Sequence, residues 1–383
     1  MKICLIGPSY PFRGGIPHHT TLLYRNLKKR HDVKFYAFKR QYPKWLFPGK
    51  SDRDYSNTAL KEEGTEPILD SINPVTWFQI YNKIRKSKPE IVIFPWWVSF
   101  WVPQFWTISW LVKTFVKSSI LFLCHNVVEH EANKFTKICT KMVLKNGDYF
   151  IVHSEEDLRN LKRIMQNAII KKCFHPTYSV FQMNGISKEG ARKKIKIKGN
   201  SLLFFGFIRP YKGLQYLIEA MPIILQNIEL TLLIVGEFWE DKQEYLKQIE
   251  DLNISDNVKI IDEYIPNEDI ELYFSAADLI ILPYVSATGS GIIQLAYGLN
   301  KPVVSTNVGA LPEVVKNGKT GYVVNSKDPK ALAEAVLRFY KENKENEFAS
   351  NIKAERQNFS WDKMTNTIES FLLDKNGKSR TKM

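Results

Sequence analysis

Residues 202–213 read LLFFGFIRPYKG, and this stretch decides the expected fold. Its first four residues form a short apolar run that ends at a glycine, a pattern typical of a buried strand. Arg209 and Lys212 follow, three positions apart, where the strand gives way to a helix. Both cations can converge with helix N-terminal amides on a diphosphate. The alternative is a surface loop with two solvated charges.

The same rhythm of strand and helix occurs twice along the 383 residues. Apolar runs that alternate with amphipathic stretches predict an α/β protein built on two parallel sheets. In the first half the expected strands are 2–6, 33–38, 91–94, 120–123, 149–152 and 169–174, with helices at 16–29, 76–87, 103–117, 131–145 and 155–165. In the second half the expected strands are 202–207, 230–235, 258–261, 279–282, 302–305 and 322–324. The polar stretch 41–65 is expected to be a long loop that is either functional or mobile.

This pattern divides the chain into an N-terminal domain, residues 1–183, and a C-terminal domain, residues 201–358. Residues 184–200 are rich in Lys and Gly and are expected to be the linker. Residues 359–383 are expected to hold a last helix, which returns toward the N-terminal domain, and a basic tail.

The charge is unevenly distributed between the two halves. The net charge is +14, but residues 1–198 hold 34 basic and 15 acidic side chains, while residues 199–383 hold 20 and 25. The basic half also carries seven of the nine Trp. Basic residues mixed with aromatics suit nucleic acid or an anionic membrane surface. Because no zinc finger, RNP-type motif or basic heptad helix accompanies them, we expect no nucleic-acid partner.

Residues 91–112 contain no formal charge over 22 positions, about the length that spans a bilayer. Pro95 and Pro103 interrupt the stretch, which favours a strand, a loop and a Trp-rich helix over a membrane span. Indole rings suit a lipid headgroup interface. We therefore expect a peripherally membrane-associated protein whose membrane-contact residues are Trp97, Trp101, Trp106 and Trp110. The four Cys are too scattered for a disulfide framework, which favours a reduced, cytoplasmic compartment.

Two further loops sit where an apolar run meets a helix. Gly14 and Gly15 precede Pro17, which suits the first turn of a helix whose amides attract phosphate. Residues 283–291 read PYVSATGSG, and small hydroxyls and glycines there expose amides to phosphate or sugar hydroxyls. Neither loop is a GxGxxG or a GxxxxGK[ST] motif, which argues against NAD and P-loop sites.

In this order and spacing, the three loops resemble those of the retaining glycosyltransferases of the GT-B fold, family 4. The likeness includes residues 88–93 (KPEIVI), 301–304 (KPVV), 309–314 (GALPEV) and 317–321 (NGKTG). It implies two Rossmann-like domains that face each other across a cleft. A nucleotide-sugar would be held mainly by the C-terminal domain, and an acceptor mainly by the N-terminal one.

The resemblance also implies roles for single residues. Arg209 and Lys212 fall where the family neutralises the leaving diphosphate, and His125 falls near the transferred sugar. The implied donor-binding residues are Gly14, Gly15, Tyr264, Ile265, Ser286, Thr288, Gly289, Ser290, Gly291 and Gln294. The implied acceptor-side residues are His18, His19, Asn126, His130 and Glu131.

One departure from the family concerns two Glu that it typically carries eight positions apart. Those positions are Ser286 and Gln294 here. Gln294 can still hydrogen-bond a ribose hydroxyl, but Ser286 offers the sugar no carboxylate. We expect Thr288 and the amides of 289–291 to substitute in part, which leaves the sugar open.

The expected activity is retaining transfer of a hexose or N-acetylhexosamine from a nucleoside diphosphate sugar, UDP-sugar favoured, to a lipid-linked or polysaccharide precursor in cell-envelope glycan synthesis. Retention in this family is attributed to front-face attack, with the cations replacing a divalent metal. Because Arg209 and Lys212 would take the place of a divalent metal, we expect no cofactor, no metal requirement and activity in EDTA. The alternatives are a GT-B sugar-nucleotide epimerase and a catalytically degenerate donor-binding protein.

Overall fold

A computed structural model describes residues 1–46, 49, 51–58, 60–127 and 134–380. The chain divides into two compact units. The N-terminal unit comprises residues 1–55, 59–175 and 360–383, and the C-terminal unit comprises 56–58 and 176–359. The expectation of two Rossmann-like α/β domains is confirmed, because each unit is built on its own parallel sheet.

The N-terminal unit holds a seven-stranded sheet with the order β3-β2-β1-β4-β5-β6-β7. Its strands are β1 (Lys2–Gly7), β2 (Asp32–Arg40), β3 (Thr65–Asp70), β4 (Ile91–Trp96), β5 (Ser119–Cys124), β6 (Tyr149–Val152) and β7 (Ile169–Lys172). Its first helices are α1 (Gly15–Leu27), α2 (Pro74–Ser87), α3 (Val102–Leu111), α4 (Lys134–Leu144) and α5 (Glu155–Ile164). Strands β4 and β5 are buried on both faces, as expected of the centre of a parallel sheet.

The C-terminal unit holds a six-stranded parallel sheet with the order β10-β9-β8-β11-β12-β13. Its strands are β8 (Asn200–Phe205), β9 (Leu230–Val235), β10 (Val258–Ile261), β11 (Leu279–Leu282), β12 (Val303–Thr306) and β13 (Gly321–Val324). Its helices are α6 (Lys188–Ile195), α7 (Leu214–Leu225), α8 (Lys242–Asp251), α9 (Asn267–Ala276), α10 (Gly291–Gly298), α11 (Leu311–Val314), α12 (Pro329–Lys341) and α13 (Glu345–Glu355).

Two segments differ from a simple chain of two domains and a linker. Residues 184–200, expected to be the linker, contain helix α6 and belong to the C-terminal unit. Lys188 and Arg192 of α6 each lie 2.7 Å from a carboxylate oxygen of Asp278, which anchors the helix there. The final helix, α14 (Trp361–Arg380), belongs to the N-terminal unit. Its Met364, Ile368 and Phe371 are fully buried in the core of that unit.

The Trp-rich stretch folds as a strand, a short turn and a helix, as expected. None of the helices in the described part of the chain combines the length and hydropathy needed to span a bilayer. After Leu111 the helix continues as a π-helical turn, Val112–Val116.

The strand order fixes where a ligand can bind. In each sheet the order reverses beside the first strand of the unit, between β1 and β4 and between β8 and β11. Open parallel sheets bind ligands outside the carboxyl ends of the strands at such switch points. The loops after β1, β8 and β11 are those in which the sequence placed its phosphate-binding candidates.

Candidate active site

The loop after β8 holds the two cations in different environments. Residues Pro210–Lys212 form a single 3-10 turn that leads into α7. Arg209 is exposed and its guanidinium carbon lies 5.7 Å from the ring centroid of Trp239. Lys212 is only 7% exposed. Arg209 can therefore reach a ligand from solvent, whereas Lys212 lies in a buried environment of low dielectric constant.

Backbone hydrogen bonds join this loop to the loop after β11. The carbonyl of Tyr211 accepts from the amide of Val285 at 2.8 Å and from that of Ser286 at 3.4 Å. Gly213 has φ +67°, and a Cβ there would lie 2.1 Å from the carbonyl oxygen of Pro283. Only glycine permits this approach. The two loops at the switch point of the C-terminal sheet are thus held as one structure.

Burial changes the proton affinity of Lys212. Removal from water is the larger cause, and the positive charge of Arg209 adds to it; together they lower the pKa of Lys212 from 10.5 to about 7. At neutral pH the Lys212 side chain is therefore only partly protonated as long as no anion is bound. A bound diphosphate favours the charged form and raises the pKa again.

This coupling predicts a pH-dependent donor affinity. Above pH 7, binding UDP-glucose requires Lys212 to take up a proton, so the Kd should rise by up to about tenfold per pH unit. Isothermal titration at pH 6.5, 7.5 and 8.5 measures it. Lys212→Met should bind weakly with a flat pH profile. An affinity of the unchanged protein that stays constant across this range would contradict the assignment.

The loop after β11 presents small polar groups, as the sequence predicted. Ser286, Thr288 and Ser290 are half-buried, and Gly289 and Gly291 are exposed. The hydroxyl of Ser290 accepts from the amide of Ile292 at 3.2 Å and caps α10. Ser290 is therefore engaged in holding the helix start.

Gln294 occupies the first turn of α10 and is 2% exposed. Its Oε1 is buried and has no hydrogen-bond partner among the described residues. A buried amide oxygen without a partner is costly. A ribose hydroxyl would satisfy it, which supports the donor role that the family resemblance implies for this residue.

The nucleobase candidates follow β10. Tyr264 is half-buried, whereas Ile265 is only 5% exposed. The side chain of Ile265 is thus packed inside the unit, so only its backbone is available to a base. These donor roles stay predictions.

Two residues of the same region were not foreseen. Trp239 follows β9 and stacks on Phe207 at 4.3 Å between ring centroids. Glu237, also after β9, is 2% exposed, and its carbonyl accepts from the amide of Ile208 at 2.9 Å. The position of the GEFWE segment directly after a strand next to β8 was the available signal.

The N-terminal unit collects four imidazoles near the carboxyl ends of β5, β6 and β7. His19, on α1, lies with its ring centroid 4.6 Å from that of His125 and 4.6 Å from that of His175. His125 lies 5.1 Å from His153. The sequence singled out His19 and His125 but missed His153 and His175. Both follow expected strands, and that position was the signal for them.

Three of these imidazoles, those of His19, His125 and His153, are electrically neutral at pH 7. Burial, and secondarily the neighbouring imidazoles, hold the pKa values of His19 and His125 well below 6.5. Burial lowers the pKa of His153 to about 4, although its hydrogen bond to the Cys173 carbonyl opposes the shift. The neutral rings of His19, His125 and His153 can therefore offer a ligand both nitrogen lone pairs and N–H donors.

The other acceptor-side candidates are dispersed. His18 lies 3.8 Å from a carboxylate oxygen of Asp54. Asn126 donates from its side chain to the carbonyl of Trp97 at 3.3 Å. His130 and Glu131 lie outside the described residues. Of the donor-side candidates in this unit, Gly14 is the N-cap of α1 and Gly15 is its first residue, and a Cβ built on either would meet no described atom within 4 Å.

One expected membrane contact is wrong. Trp101 is fully buried, and its ring centroid lies 4.8 Å from that of Phe38. It is a core residue because the turn before α3 points it into the unit. Trp97 and Trp106 are half-buried, and Trp110 is 43% exposed.

Residues 187–358 match the family model described as glycosyl transferases group 1. The C-terminal unit is therefore similar to the group 1 glycosyltransferases over nearly its whole length. The match covers α6 to α13 and thus every donor-side residue of the C-terminal unit named above. The domain carries Arg209 and Lys212 on the loop after β8.

Curated relatives extend the likeness beyond this domain. A D-inositol 3-phosphate glycosyltransferase of Corynebacterium urealyticum is 23% identical over 62% of this chain and 59% of its own length. Spore coat protein SA of Bacillus subtilis is 23% identical over 55% of this chain and 58% of its own. The chain thus spans about three fifths of the length of these relatives.

Solved structures match the whole fold. Anabaena HepE in complex with UDP has a TM-score of 0.74 at 17% identity, covering 98% of this chain and 100% of that one. Sucrose-phosphate synthase from Thermosynechococcus elongatus has a TM-score of 0.71 at 16% identity, covering 99% and 100%. At such identities the likeness establishes the fold, which is GT-B.

Proposed function

We propose that this chain is a group 1 glycosyltransferase. It would transfer a hexose or N-acetylhexosamine from a UDP-sugar to a lipid-linked or polysaccharide precursor in cell-envelope glycan synthesis, with retention of anomeric configuration, as in family 4. The observation that carries the proposal is the pair Arg209 and buried Lys212 on the loop after β8 of the group 1 domain. UDP is favoured because HepE was solved with UDP and with UDP-glucose.

In the proposed mechanism the acceptor attacks from the face that the diphosphate leaves. The bond from the anomeric carbon to the diphosphate oxygen breaks, the acceptor oxygen takes its place, and the acceptor proton passes to the leaving phosphate. Arg209 and Lys212 stabilise the charge that develops there, which is an electrostatic form of catalysis. We propose that no metal at the diphosphate is needed.

A thermal-shift panel of UDP-glucose, UDP-N-acetylglucosamine, GDP-mannose and ADP-glucose tests the donor. We expect a UDP-sugar to raise the melting temperature most, equally in EDTA and in Mg²⁺. Loss of the shift in EDTA would show a metal at the diphosphate. UDP release is then followed with and without candidate acceptors. A glycosyltransferase releases UDP when it transfers the sugar, whereas an epimerase converts the donor into a new UDP-sugar. Binding without turnover would indicate a degenerate site.

We further propose that the N-terminal unit docks on an anionic membrane through an aromatic patch made of Tyr81, Trp106, Trp110 and Phe115. Neighbouring rings of the patch lie next to one another. Trp106 stacks on Trp110 with 6.0 Å between ring centroids, and the centroid of Phe115 lies 6.1 Å from that of Trp110 and 6.5 Å from that of Tyr81. Trp110 is 43% exposed and Phe115 60%.

Basic side chains accompany the aromatic patch. Lys113 and Lys117 lie in and after the π-helical turn that carries Phe115, and both are exposed. Each basic residue near an anionic lipid surface contributes about 1 kcal/mol. The rings would enter the headgroup layer while the ammonium of Lys117 meets lipid phosphates. The ammonium of Lys113 pairs with Asp148 at 3.3 Å.

Removing the two exposed rings should weaken membrane binding. Trp110→Ala with Phe115→Ala is expected to lower partitioning onto phosphatidylglycerol vesicles at low salt by about tenfold or more, since each ring loses apolar burial. Co-sedimentation measures it. Trp45→Ala is the matched control, because Trp45 is 82% exposed but outside the patch. Failure of the unchanged protein to co-sediment would end the membrane proposal.

A further inference from the structure

We infer that His19, His125 and His153 form a binding site for a late first-row divalent metal ion of the Zn²⁺ type. One ligand atom from each residue lies within 4.8 Å of the other two. Imidazole nitrogen suits Zn²⁺, Co²⁺, Ni²⁺ and Cu²⁺, whereas Mg²⁺ and Ca²⁺ prefer oxygen. The inference concerns the N-terminal unit alone and does not depend on the proposed transfer reaction.

The spacing of the rings fits imidazoles around one ion. The ring centroids lie 4.6 Å apart for His19 and His125, 5.1 Å for His125 and His153, and 6.0 Å for His19 and His153. Zn–N bonds of about 2.0–2.1 Å in a tetrahedral arrangement place such centroids about 5 Å apart. Small rotations of the rings would bring the three nitrogens onto a common centre.

The hydrogen bonds of the three residues leave nitrogens available. Nδ1 of His153 lies 2.7 Å from the carbonyl oxygen of Cys173, so it carries the proton and donates, and Nε2 keeps its lone pair. Nε2 of His153, Nε2 of His125 and both ring nitrogens of His19 are buried with no hydrogen-bond partner in the described ranges. Metal-bound histidines are typically oriented by such a carbonyl acceptor on the second nitrogen.

The burial of the residues also suits a site that an ion can enter. His19 is fully buried, while His125 and His153 are half-buried. The ligands come from α1 and from the ends of β5 and β6, so a bound ion would join three elements that are distant in sequence. Three protein ligands leave a fourth position, which a water or an acceptor oxygen can take.

The test uses the full chain with any affinity tag removed. After treatment with a chelating resin, the protein is titrated with Zn²⁺ and with Co²⁺, and bound metal is counted by plasma mass spectrometry. We expect one equivalent to bind with a Kd below about 1 µM and to raise the melting temperature, and the visible spectrum of bound Co²⁺ to report nitrogen ligands. Mg²⁺ should give no shift.

Variants locate the site. His125→Ala and, as a milder change, His153→Gln should each weaken Zn²⁺ binding by at least tenfold. His31→Gln is the control, because His31 is a further histidine of the same unit that pairs with Glu369 at 2.8 Å, outside the cluster. The inference is overturned if the unchanged protein binds less than half an equivalent, if the control loses as much affinity as the two variants, or if inorganic phosphate rather than Zn²⁺ gives the shift that His125→Ala removes. UDP-sugar binding, measured on the same metal-free sample, reports separately on the donor site.

Discussion

Arg209→Ala is expected to lower the kcat/KM for UDP release by about 10²–10³-fold, the loss typical when one stabilising donor is removed from a developing anion. The side chain is exposed, and no hydrogen bond of its guanidinium to another described residue holds the unit together. Its loss should therefore leave folding intact and act on the leaving diphosphate. Steady-state kinetics and the UDP-sugar thermal shift measure both effects.

Two variants serve as controls for this experiment. Arg338→Ala removes another exposed arginine of the C-terminal unit, one that pairs with Glu342 at 2.8 Å on α12, and it should leave kinetics unchanged. Arg209→Lys keeps the charge but loses the forked geometry, so an intermediate rate is expected. A full donor shift in Arg209→Ala would show that the phosphates bind elsewhere.

The central strands could be predicted from sequence because burial leaves a continuous apolar pattern. Strands β6, β9 and β11, which lie inside their sheets, have the expected bounds. Strand β3 (Thr65–Asp70) was missed, since it reads TEPILD at the edge of its sheet, is only partly buried and contains a proline. Edge strands lack the two-faced burial that makes the pattern visible.

The site was predictable only as far as it is local in sequence. Arg209 and Lys212 share one turn, so their spacing placed them together. His19 and His153 are separated by 134 positions, and their meeting depends on the strand order, which periodicity does not encode. The burial of Trp101 likewise follows from the direction of one turn. Long-range proximity and side-chain direction are what the structure adds.

Gly309→Ala is expected to destabilise the C-terminal unit by about 3–5 kcal/mol, a fall in melting temperature of about 6–12 °C. Gly309 follows β12 with φ +51°, and a Cβ there would lie 1.6 Å from the carbonyl oxygen of Ala287. The loop after β11, which contains Ala287, would have to move away from Gly309. The affinity for the UDP-sugar should therefore fall as well. Gly318→Ala is the matched control in the same unit, because Gly318 also has a positive φ, +73°, but a Cβ there meets nothing within 4 Å among the described atoms. Thermal denaturation of both variants, with and without UDP-sugar, measures these effects. Equal melting temperatures of the two variants would contradict a close contact between Gly309 and the loop after β11.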